Sequence, residues 1–504
     1  MNAVDTTAVT YAKLRATDPA RWRATALAWR RWAALAGALC SEFGPLLDGL
    51  RASWSGPAAE AATAWLGALR GRLAFLRVVC WRADQALSEF AAALGRARAL
   101  LDRARAAAGH SGLDIDDHGT VRGRPEAGQA IRSVAADLGA ALAVAAQADA
   151  TAAARLGPLA EVPAVPVAKS FPACGAPPAE VRRWWEQYTP AERNWLLVTE
   201  PAALAGVDGI PIADRDIANR LLLDDHRRQL DRLRAAGTDP DRVRDLRTGL
   251  DRLTARLEEE GTPRAYLVDL GLDGEGRAVV AFGDPDRSAN VLTHVPGMTS
   301  DLKSLGGELS RAERVAVRAG ELGPGRATSA VLWLDYDAPD FVPEAASARQ
   351  ARDGAPHLTR FQEALRVTHE GEPAHQTVLG HSYGSLVVGK AAAAGGLPAD
   401  AVVFVGSPGV GVDSASQLQF PADQVWATTS VSDPIRYAAA APKELLLPDL
   451  PGSKRHLWFG RDPSQPGFGA RVFPSQLDAG HLGYWDRGEP TLDALTRITL
   501  GGTP

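Results

Sequence analysis

Ser382 lies at the centre of the run Gly-His-Ser-Tyr-Gly, residues 380–384. A serine framed by glycines in this way can act as a nucleophile once a base removes its hydroxyl proton. An apolar run before the motif predicts a β-strand, and the residues after it predict a helix. Gly380 and Gly384 allow the chain to turn sharply from strand to helix, where side chains would block the turn. The motif therefore predicts a nucleophile elbow, which also includes His381.

A histidine further along the chain must supply the base. Two histidines follow Ser382, namely His456 and His481. His481 lies in a glycine-bearing loop shortly before the last predicted helix, which is where such a base is expected. His456 precedes the apolar run Leu-Trp-Phe, which is typical of a strand. His481 is therefore the favoured base.

An acid must hold the imidazole in the correct tautomer and stabilise its charge. Asp433 follows a predicted strand at residues 425–429 and precedes a proline that ends the extended run. Asp413, which follows the Gly-Ser-Pro-Gly run at residues 406–409, is the alternative acid. We expect Asp433 to pair with the histidine.

Two backbone N–H groups must hold the oxyanion that forms when a carbonyl is attacked. One is the N–H of Tyr383, directly after the nucleophile. The other is expected in the Val-Pro-Gly-Met-Thr loop at residues 295–299, where glycine allows a close approach of the chain. Met298 N–H is the favoured donor and Gly297 N–H the alternative. An ordinary turn is the competing explanation of this loop.

The elements around these residues alternate between strands and helices. Residues 265–268 and 278–282 are apolar and flank the turn sequence Asp-Gly-Glu-Gly, which predicts an antiparallel hairpin. Short apolar runs separated by helical stretches follow at residues 291–295, 330–334, 377–379, 402–405 and 425–427. Such alternation predicts a mostly parallel sheet with flanking helices. With the chain order Ser382, Asp433, His481, it predicts an α/β-hydrolase fold.

The N-terminal part of the chain has a different pattern. Residues 18–108 are dense in Ala, Leu and Arg at helical spacing, with one break at Ser-Trp-Ser-Gly-Pro, residues 53–57. Two long antiparallel helices joined at this break, and a further helix to about residue 156, predict an all-α helical-hairpin domain. Five prolines between residues 163 and 178 indicate a linker. The predicted domains are a helical domain at 1–160, a linker at 161–180, a helical leader segment at 181–260 and the hydrolase domain at 261–504.

The helical leader segment is rich in charge. Residues 189–192, Thr-Pro-Ala-Glu, predict a capped helix start. The helical pattern from residue 215 to about 260 predicts a solvated face. We interpret the polar residues where this pattern begins as a capped, ion-paired helix start rather than a ligand site; they are Asp214, Arg215, Asp216, Asn219 and Arg220.

Several short motifs lie between residues 181 and 485. They are Trp-Trp at 184–185, Thr-Pro at 189–190, Asp-Gly-Ile-Pro at 208–211, Arg-Asp at 215–216, Ala-Asn-Arg at 218–220, Val-Pro-Gly-Met at 295–298, the elbow with the serine after it, Gly-Ser-Pro-Gly at 406–409 and Gly-His at 480–481. This combination resembles the actinobacterial DUF1023 α/β-hydrolase family. The resemblance implies a serine-hydrolase fold, often behind a helical WXG-like leader, and it supplies no substrate. Residues 335–339 read Asp-Tyr-Asp-Ala-Pro where Gly-Tyr-Asp-Ala-Pro is expected, a change that could alter the pocket rim without touching the triad.

The Trp-Ser-Gly turn at residues 54–56, between two long predicted helices, resembles the WXG100-like helical hairpins associated with type VII secretion. The resemblance implies a secretion-system or helical partner bound through residues 18–108. An ordinary turn in which a tryptophan joins two helices explains the same residues. The family's Tyr-x-x-x-Asp/Glu signal is not found between residues 83 and 108, so the sequence does not support export.

Composition and charge bear on the partners, the location and the cysteines of this protein. The net charge of −5 argues against a nucleic-acid partner. The start of the chain does not resemble a signal peptide, and its richest apolar stretch, about residues 138–154, is broken by Asp149, which favours a packed helix over a membrane span. We therefore expect a cytoplasmic protein without an integral membrane segment. Cys40, Cys80 and Cys174 lack metal-ligand spacing and are expected to be buried thiols, with a Cys40–Cys80 bridge as the alternative.

Two functions are consistent with these residues. The first is a hydrolase that cleaves the ester or thioester of a small or lipid-like acyl substrate through an acyl-enzyme on Ser382, without metal or cofactor. Pocket shape would decide whether amides are also cleaved. The second is a secretion-associated interaction protein that uses the hydrolase fold as a scaffold. The absence of a hydrogen bond between His481 and Ser382 would count heavily against the first function. An exposed apolar stripe on the helical hairpin would favour the second, with or without catalysis.

Overall fold

The computed structural model describes residues 9–161, 164–167, 170–261, 263–436 and 459–504. Its N-terminal part contains the helices α1 (Tyr11–Ala16), α2 (Pro19–Ser53), α3 (Pro57–His110) and α4 (Gly128–Leu156). α2 and α3 run antiparallel, because Arg30 contacts Asp84 far from the turn and Cys40 contacts Arg70 nearer to it. The turn uses Gly56, whose φ of 106° favours glycine, and a proline then opens α3.

The helix α4 packs against α3. Its Val134, Leu138 and Ala141 are buried in one apolar cluster with Leu101 of α3. The loop before α4 contains two short paired strands, β1 (Asp114–Ile115) and β2 (Val121–Arg122). By length and composition alone, Pro125–Ala160 is the one segment of the described chain that could cross a membrane. In the structure 22% of its most apolar window is buried, on the face that packs against α3.

Five helices connect the hairpin to the sheet. They are α5 (Pro178–Glu186), α6 (Pro190–Thr199), α7 (Pro201–Leu204), α8 (Ile212–Ala235) and α9 (Pro240–Glu258). α6 begins with the predicted capping box, in which Thr189 and Glu192 bond reciprocally. Trp185, Leu197 and Ile217 form one buried cluster with Val78 of α3. The leader helices therefore bind the hairpin through apolar contact.

The charged residues at the start of α8 are buried, although the pattern predicted a solvated face for this helix. Asp216 forms an ion pair with Arg220, one helical turn away, and accepts a hydrogen bond from the N–H of Leu267. Asn219 donates to the carbonyl of Val268. The predicted ion pairing is present and attaches α8 to the sheet, but the predicted cap is wrong, because the residue before the helix is Pro211, whose side chain has no hydrogen-bond acceptor for the first turn.

The C-terminal part is built on an eight-stranded sheet. Its strands are β3 (Ala265–Gly271), β4 (Arg277–Phe282), β5 (Asn290–Val295), β6 (Thr328–Leu334), β7 (His375–His381), β8 (Ala401–Val405), β9 (Val425–Thr428) and β10 (Arg471–Val472). They lie in the order β10-β9-β8-β7-β5-β6-β4-β3. β4 is antiparallel to both β3 and β6, and the remaining neighbours are parallel. This topology confirms the predicted hairpin followed by a mostly parallel sheet.

Helices cover both faces of the sheet. Those after β5 are α10 (Leu305–Leu322), α11 (Val342–Ala345), α12 (Arg349–Thr368), α13 (Gly384–Ala393) and α14 (Pro490–Thr499). The central strands are almost completely buried, as strands of a covered parallel sheet must be. The carboxyl ends of β5, β7, β8 and β9 lie along one edge, where ligands of open α/β sheets bind.

All three cysteines are free thiols. Cys40 and Cys80 are buried in the helical hairpin, as expected, and no bridge joins them. Cys174 is exposed, so its predicted burial is wrong. It lies in the proline-rich connection before α5.

Candidate active site

Ser382 directly follows β7 and has a φ of 54°, in the left-handed region that non-glycine residues rarely adopt. The glycines on either side make this turn possible. A Cβ atom on Gly380 would lie 2.5 Å from Ser385 Cα, and one on Gly384 would lie 2.3 Å from the carbonyl oxygen of Val295. Only glycine fits at both positions, so the backbone has the strained geometry of a nucleophile elbow.

His481 and Asp433 form a close pair near this turn. His481 Nδ1 lies 2.9 Å from both carboxylate oxygens of Asp433. Because an ionised carboxylate only accepts hydrogen bonds, Nδ1 must carry the proton, which leaves Nε2 free to accept one. Burial alone raises the pKa of Asp433, but hydrogen bonds from His481, Tyr484 and the N–H of Ile435 outweigh it and hold that pKa below its usual value. Asp433 is thus an ionised partner for the imidazole.

Tyr484 is a partner of the acid that the sequence did not reveal. Its hydroxyl donates to Asp433 Oδ2 at 2.6 Å and accepts a hydrogen bond from the N–H of Ser430 at 2.9 Å. The loop of the histidine is attached to the same segment, since Gly480 N–H donates to Ser432 Oγ at 2.9 Å. Acid and base are therefore held together by several independent contacts.

The Ser382 hydroxyl makes no hydrogen bond to His481, although both residues lie in the described part of the chain. The expected serine–histidine contact is absent from this arrangement. His481 is nevertheless adjacent to the elbow, because its ring lies 4.8 Å from that of His381, the residue before the nucleophile. Catalytic hydrogen bonds are often long in ligand-free enzymes and shorten when substrate binds.

His381 contributes more than its place in the motif. Its side chain is buried, and its Nε2 donates to the backbone carbonyl of His481 at 2.9 Å. Burial lowers the pKa of His381 to about 3, so the ring is neutral at physiological pH. The neighbouring His294 is also buried and bonds to Glu308 at 3.1 Å. This layer of rings supports the loop that carries His481.

The predicted oxyanion loop lies directly against Ser382. A Cβ atom on Gly297 would be 2.6 Å from Ser382 Cβ, so the backbone passes as closely as the sequence predicted. The hydroxyl of Tyr336 donates to Pro296 O at 2.7 Å and fixes the loop. Within the described residues, the N–H groups of Met298 and Tyr383 donate to no acceptor. The N–H of Thr299, the residue after Met298, already donates to the carbonyl of Pro339.

The rival residues are placed elsewhere. Asp413 is exposed, and its N–H bonds to Gln417 of a short 3-10 helix rather than to the histidine loop. His456 lies outside the described residues. Asp335, where the resemblance led us to expect glycine, directly follows β6 and lies 3.9 Å from Arg277 and 3.7 Å from His357. It is not among the partners of Asp433 and His481.

Comparison with known proteins agrees with this architecture. The family model described as alpha/beta hydrolase matches residues 273–442. The uncharacterized protein Rv0963c of Mycobacterium tuberculosis is 35% identical over 191 residues, which are 36% of this chain and 69% of the relative. The chain therefore belongs to the α/β hydrolase family.

A second relative covers more of the chain. The uncharacterized protein Rv2079 of Mycobacterium tuberculosis is 30% identical over 385 residues, or 67% of this chain. The aligned region is 58% of that relative, so the chain spans little more than half of its length. The names of both relatives assign no substrate.

Replacing Gly297 by alanine is expected to lower the rate at which Ser382 reacts by about a hundredfold, the effect of losing one oxyanion donor. The added methyl group would displace the loop, since it would lie 2.6 Å from Ser382 Cβ. Reaction with a fluorophosphonate, followed over time, measures the effect. Gly306→Ala, in the nearby helix α10 and with open space at its Cβ, is the matched control and should react like the parent. If both variants react with the fluorophosphonate at the same rate, Gly297 is not part of an oxyanion site.

Proposed function

We propose that this protein is a serine hydrolase that cleaves a carboxylic ester or thioester through an acyl-enzyme on Ser382. The observation that carries the proposal is the hydrogen-bonded pair of His481 and Asp433 beside an elbow that holds Ser382 at a φ of 54°. A structural serine does not need strained backbone, a neighbouring imidazole and an ionised acid. Strain of this kind persists where a reactive group must be presented.

The proposed reaction uses only groups of this chain and water. His481 Nε2 takes the Ser382 hydroxyl proton while Oγ attacks the substrate carbonyl carbon. The N–H groups of Tyr383 and Met298 bind the oxyanion of the tetrahedral intermediate. His481 then gives its proton to the leaving alcohol or thiol, and Asp433 remains ionised and stabilises the imidazolium. Water, deprotonated by His481, attacks the acyl-enzyme and releases the carboxylic acid.

A second function, partner binding by the helical hairpin, is favoured by a separate observation. α2 exposes a stripe of large apolar side chains in which Trp32 is 58%, Leu35 50% and Leu46 58% exposed. Exposed apolar surface of this kind is typical of interaction sites. The stripe lies on α2, whereas the proposed catalytic residues lie after strands of the sheet, so the two functions are compatible in one protein.

Labelling with a fluorophosphonate probe tests the proposed hydrolase. The parent protein is expected to be labelled at one site, and Ser382→Ala is expected to lose all labelling, because the probe reacts only with an activated serine. Ser310→Ala, which changes an exposed serine of α10, should be labelled like the parent. A folded parent that is not labelled would leave partner binding as the function, with the hydrolase fold as its scaffold.

A further inference from the structure

A large cleft lies at the end of the sheet opposite to Ser382. It is bounded by α3 and α4 on one side and by the segments that precede β5, β6 and β7 on the other. Two adjoining cavities of about 630 and 470 Å³ form it, and they share Thr151, Arg155, Arg287 and Glu370 as lining residues. β7 has seven residues, so the cleft is about 20 Å or more from the nucleophile. It is therefore separate from the candidate active site.

Arginines dominate the polar lining of this cleft. The six that line it are Arg82, Arg96, Arg155, Arg182, Arg193 and Arg287. Arg155 is paired with Glu89, and Arg287 with Glu370. Arg96 has no hydrogen bond or ion pair within the described residues, and burial lowers its pKa, with Glu89 acting in the opposite direction. A partly buried cation without a partner is unfavourable unless a ligand supplies the missing anion.

The second cavity also contains an arginine without an ion pair. Arg193 Nε donates only to the backbone carbonyl of Trp185, at 3.2 Å, and no carboxylate of the described chain lies within ion-pair distance of it. Each of the two cavities thus holds one arginine that makes no direct ion pair within the described residues, although Glu89 lies near Arg96, and Asp214 and Glu186 lie near Arg193. Guanidinium groups bind planar carboxylates and phosphates through paired hydrogen bonds.

The acids that face the cleft have other partners and form no ion pair with Arg96 or Arg193 within the described residues. Asp214 forms an ion pair with Arg82 and accepts from the indole of Trp185. Asp286 accepts from the N–H of Ile212 and from the hydroxyl of Thr368. Burial, together with the nearby Glu89 and Asp286, raises the pKa of Asp284 well above its usual value, which favours its neutral form. Among the described residues, Arg96 and Arg193 are therefore left without a paired carboxylate.

The helices add an apolar wall to the first cavity. Its members on α3 and α4 are Ala86, Phe90, Ala93, Ala143, Val144, Ala148 and Ala152. The cavity therefore has a cationic end at Arg96, Arg155 and Arg287 and an apolar side along the two helices. Its volume is in the range of sites that enclose small organic ligands.

We propose that this cleft binds an amphiphilic anion, with its carboxylate or phosphate group on Arg96 and its neighbouring arginines and its hydrocarbon chain along α3 and α4. The proposal is independent of catalysis at Ser382. Carboxylate and phosphate share the chemistry that the arginines recognise, and their comparison identifies the natural headgroup.

Isothermal titration of the full chain with decanoate, decyl phosphate, decanol and inorganic phosphate tests the proposal. At least one of the two anionic amphiphiles is expected to bind at one site, at least about tenfold more tightly than decanol or inorganic phosphate. Arg96→Gln should weaken this binding at least about tenfold. Arg105→Gln, on the exposed face of α3, should leave it unchanged, and so should Ser382→Ala.

Several results of this titration would contradict the proposal. If binding survives Arg96→Gln or is lost in Ser382→Ala, the ligand binds elsewhere and the proposal is wrong. The proposal is also wrong if neither anionic amphiphile binds. Inorganic phosphate that binds as tightly as decyl phosphate would disprove the role of the apolar wall. Val144→Trp fills the cavity and changes no charged residue, so it should also abolish binding. This variant tests the proposal if Arg96→Gln does not fold.

Discussion

Asp433→Asn is expected to lower the rate of ester hydrolysis by about ten-thousandfold, with the protein still folded. Asparagine has nearly the size of aspartate, but its amide group can donate a hydrogen bond to His481 Nδ1 and so stabilise the tautomer with the proton on Nε2. That tautomer cannot accept the proton of Ser382. The hydroxyl of Tyr484 and the N–H of Ile435 would also lose a charged acceptor. Initial rates with a p-nitrophenyl ester measure the loss.

The matched control for this prediction is Asp413→Asn, which changes the other acid that the sequence allowed. Its carboxylate is exposed and remote from the histidine loop, so the variant should hydrolyse the ester at the parent rate. If Asp413→Asn instead shows the larger loss, then the assignment of Asp433 as the acid is wrong. Because the pKa of Asp433 is held low, the ratio of parent to variant rates should stay constant across the neutral pH range.

The features that the sequence predicted are those set by local constraints. The elbow follows from glycines that have no space for a side chain, and Gly380 and Gly384 show this requirement directly. The sheet follows from apolar runs whose spacing leaves room for crossover helices. Asp433 could be chosen because an acid at the end of a strand meets other strand ends at the same sheet edge.

The features that the sequence did not reveal are contacts between distant positions. His381 supports His481 across 100 residues of chain, and Tyr484 reaches Asp433 across 51. No periodicity or short motif predicts such pairs, because in the sequence His381 is explained as part of the elbow and Tyr484 as part of the loop after His481. The same holds for the charges of α8, where a pattern typical of a solvated helix belongs to a buried ion-pair network.

Asp84→Ala is expected to weaken the attachment of the helical hairpin to the sheet by about 3–5 kcal/mol, the cost of removing one member of a buried ion pair. Asp84 on α3 is completely buried and lies 3.0 Å from Arg30 of α2 and 2.8 Å from Arg264, next to β3. Without the carboxylate, both guanidinium groups would remain buried, and only Arg264 would keep a carboxylate partner, Asp216. Urea denaturation followed by tryptophan fluorescence should show a lower midpoint.

The pH dependence of this effect has a defined sign. Burial raises the pKa of Asp84, but Arg264 and Arg30 outweigh it and hold that pKa below its usual value. A lowered pKa means that the carboxylate stabilises the fold fully above its unfolded pKa of about 3.9, and that this contribution is lost as the pH falls through the folded value. The difference between parent and Asp84→Ala should therefore be constant near neutrality and shrink in acid.

Asp48→Ala separates a buried ion pair from an exposed one. Asp48 lies 3.7 Å from Arg51 on α2, with the two side chains 80% and 63% exposed, so its removal should leave the urea midpoint unchanged. If Asp84→Ala matches this control, the network contributes nothing to the attachment. The apolar cluster of Trp185, Leu197 and Val78 would then hold the hairpin by itself. A lowered midpoint for Asp84→Ala alone would instead show that buried charge joins the helical and hydrolase parts of this protein.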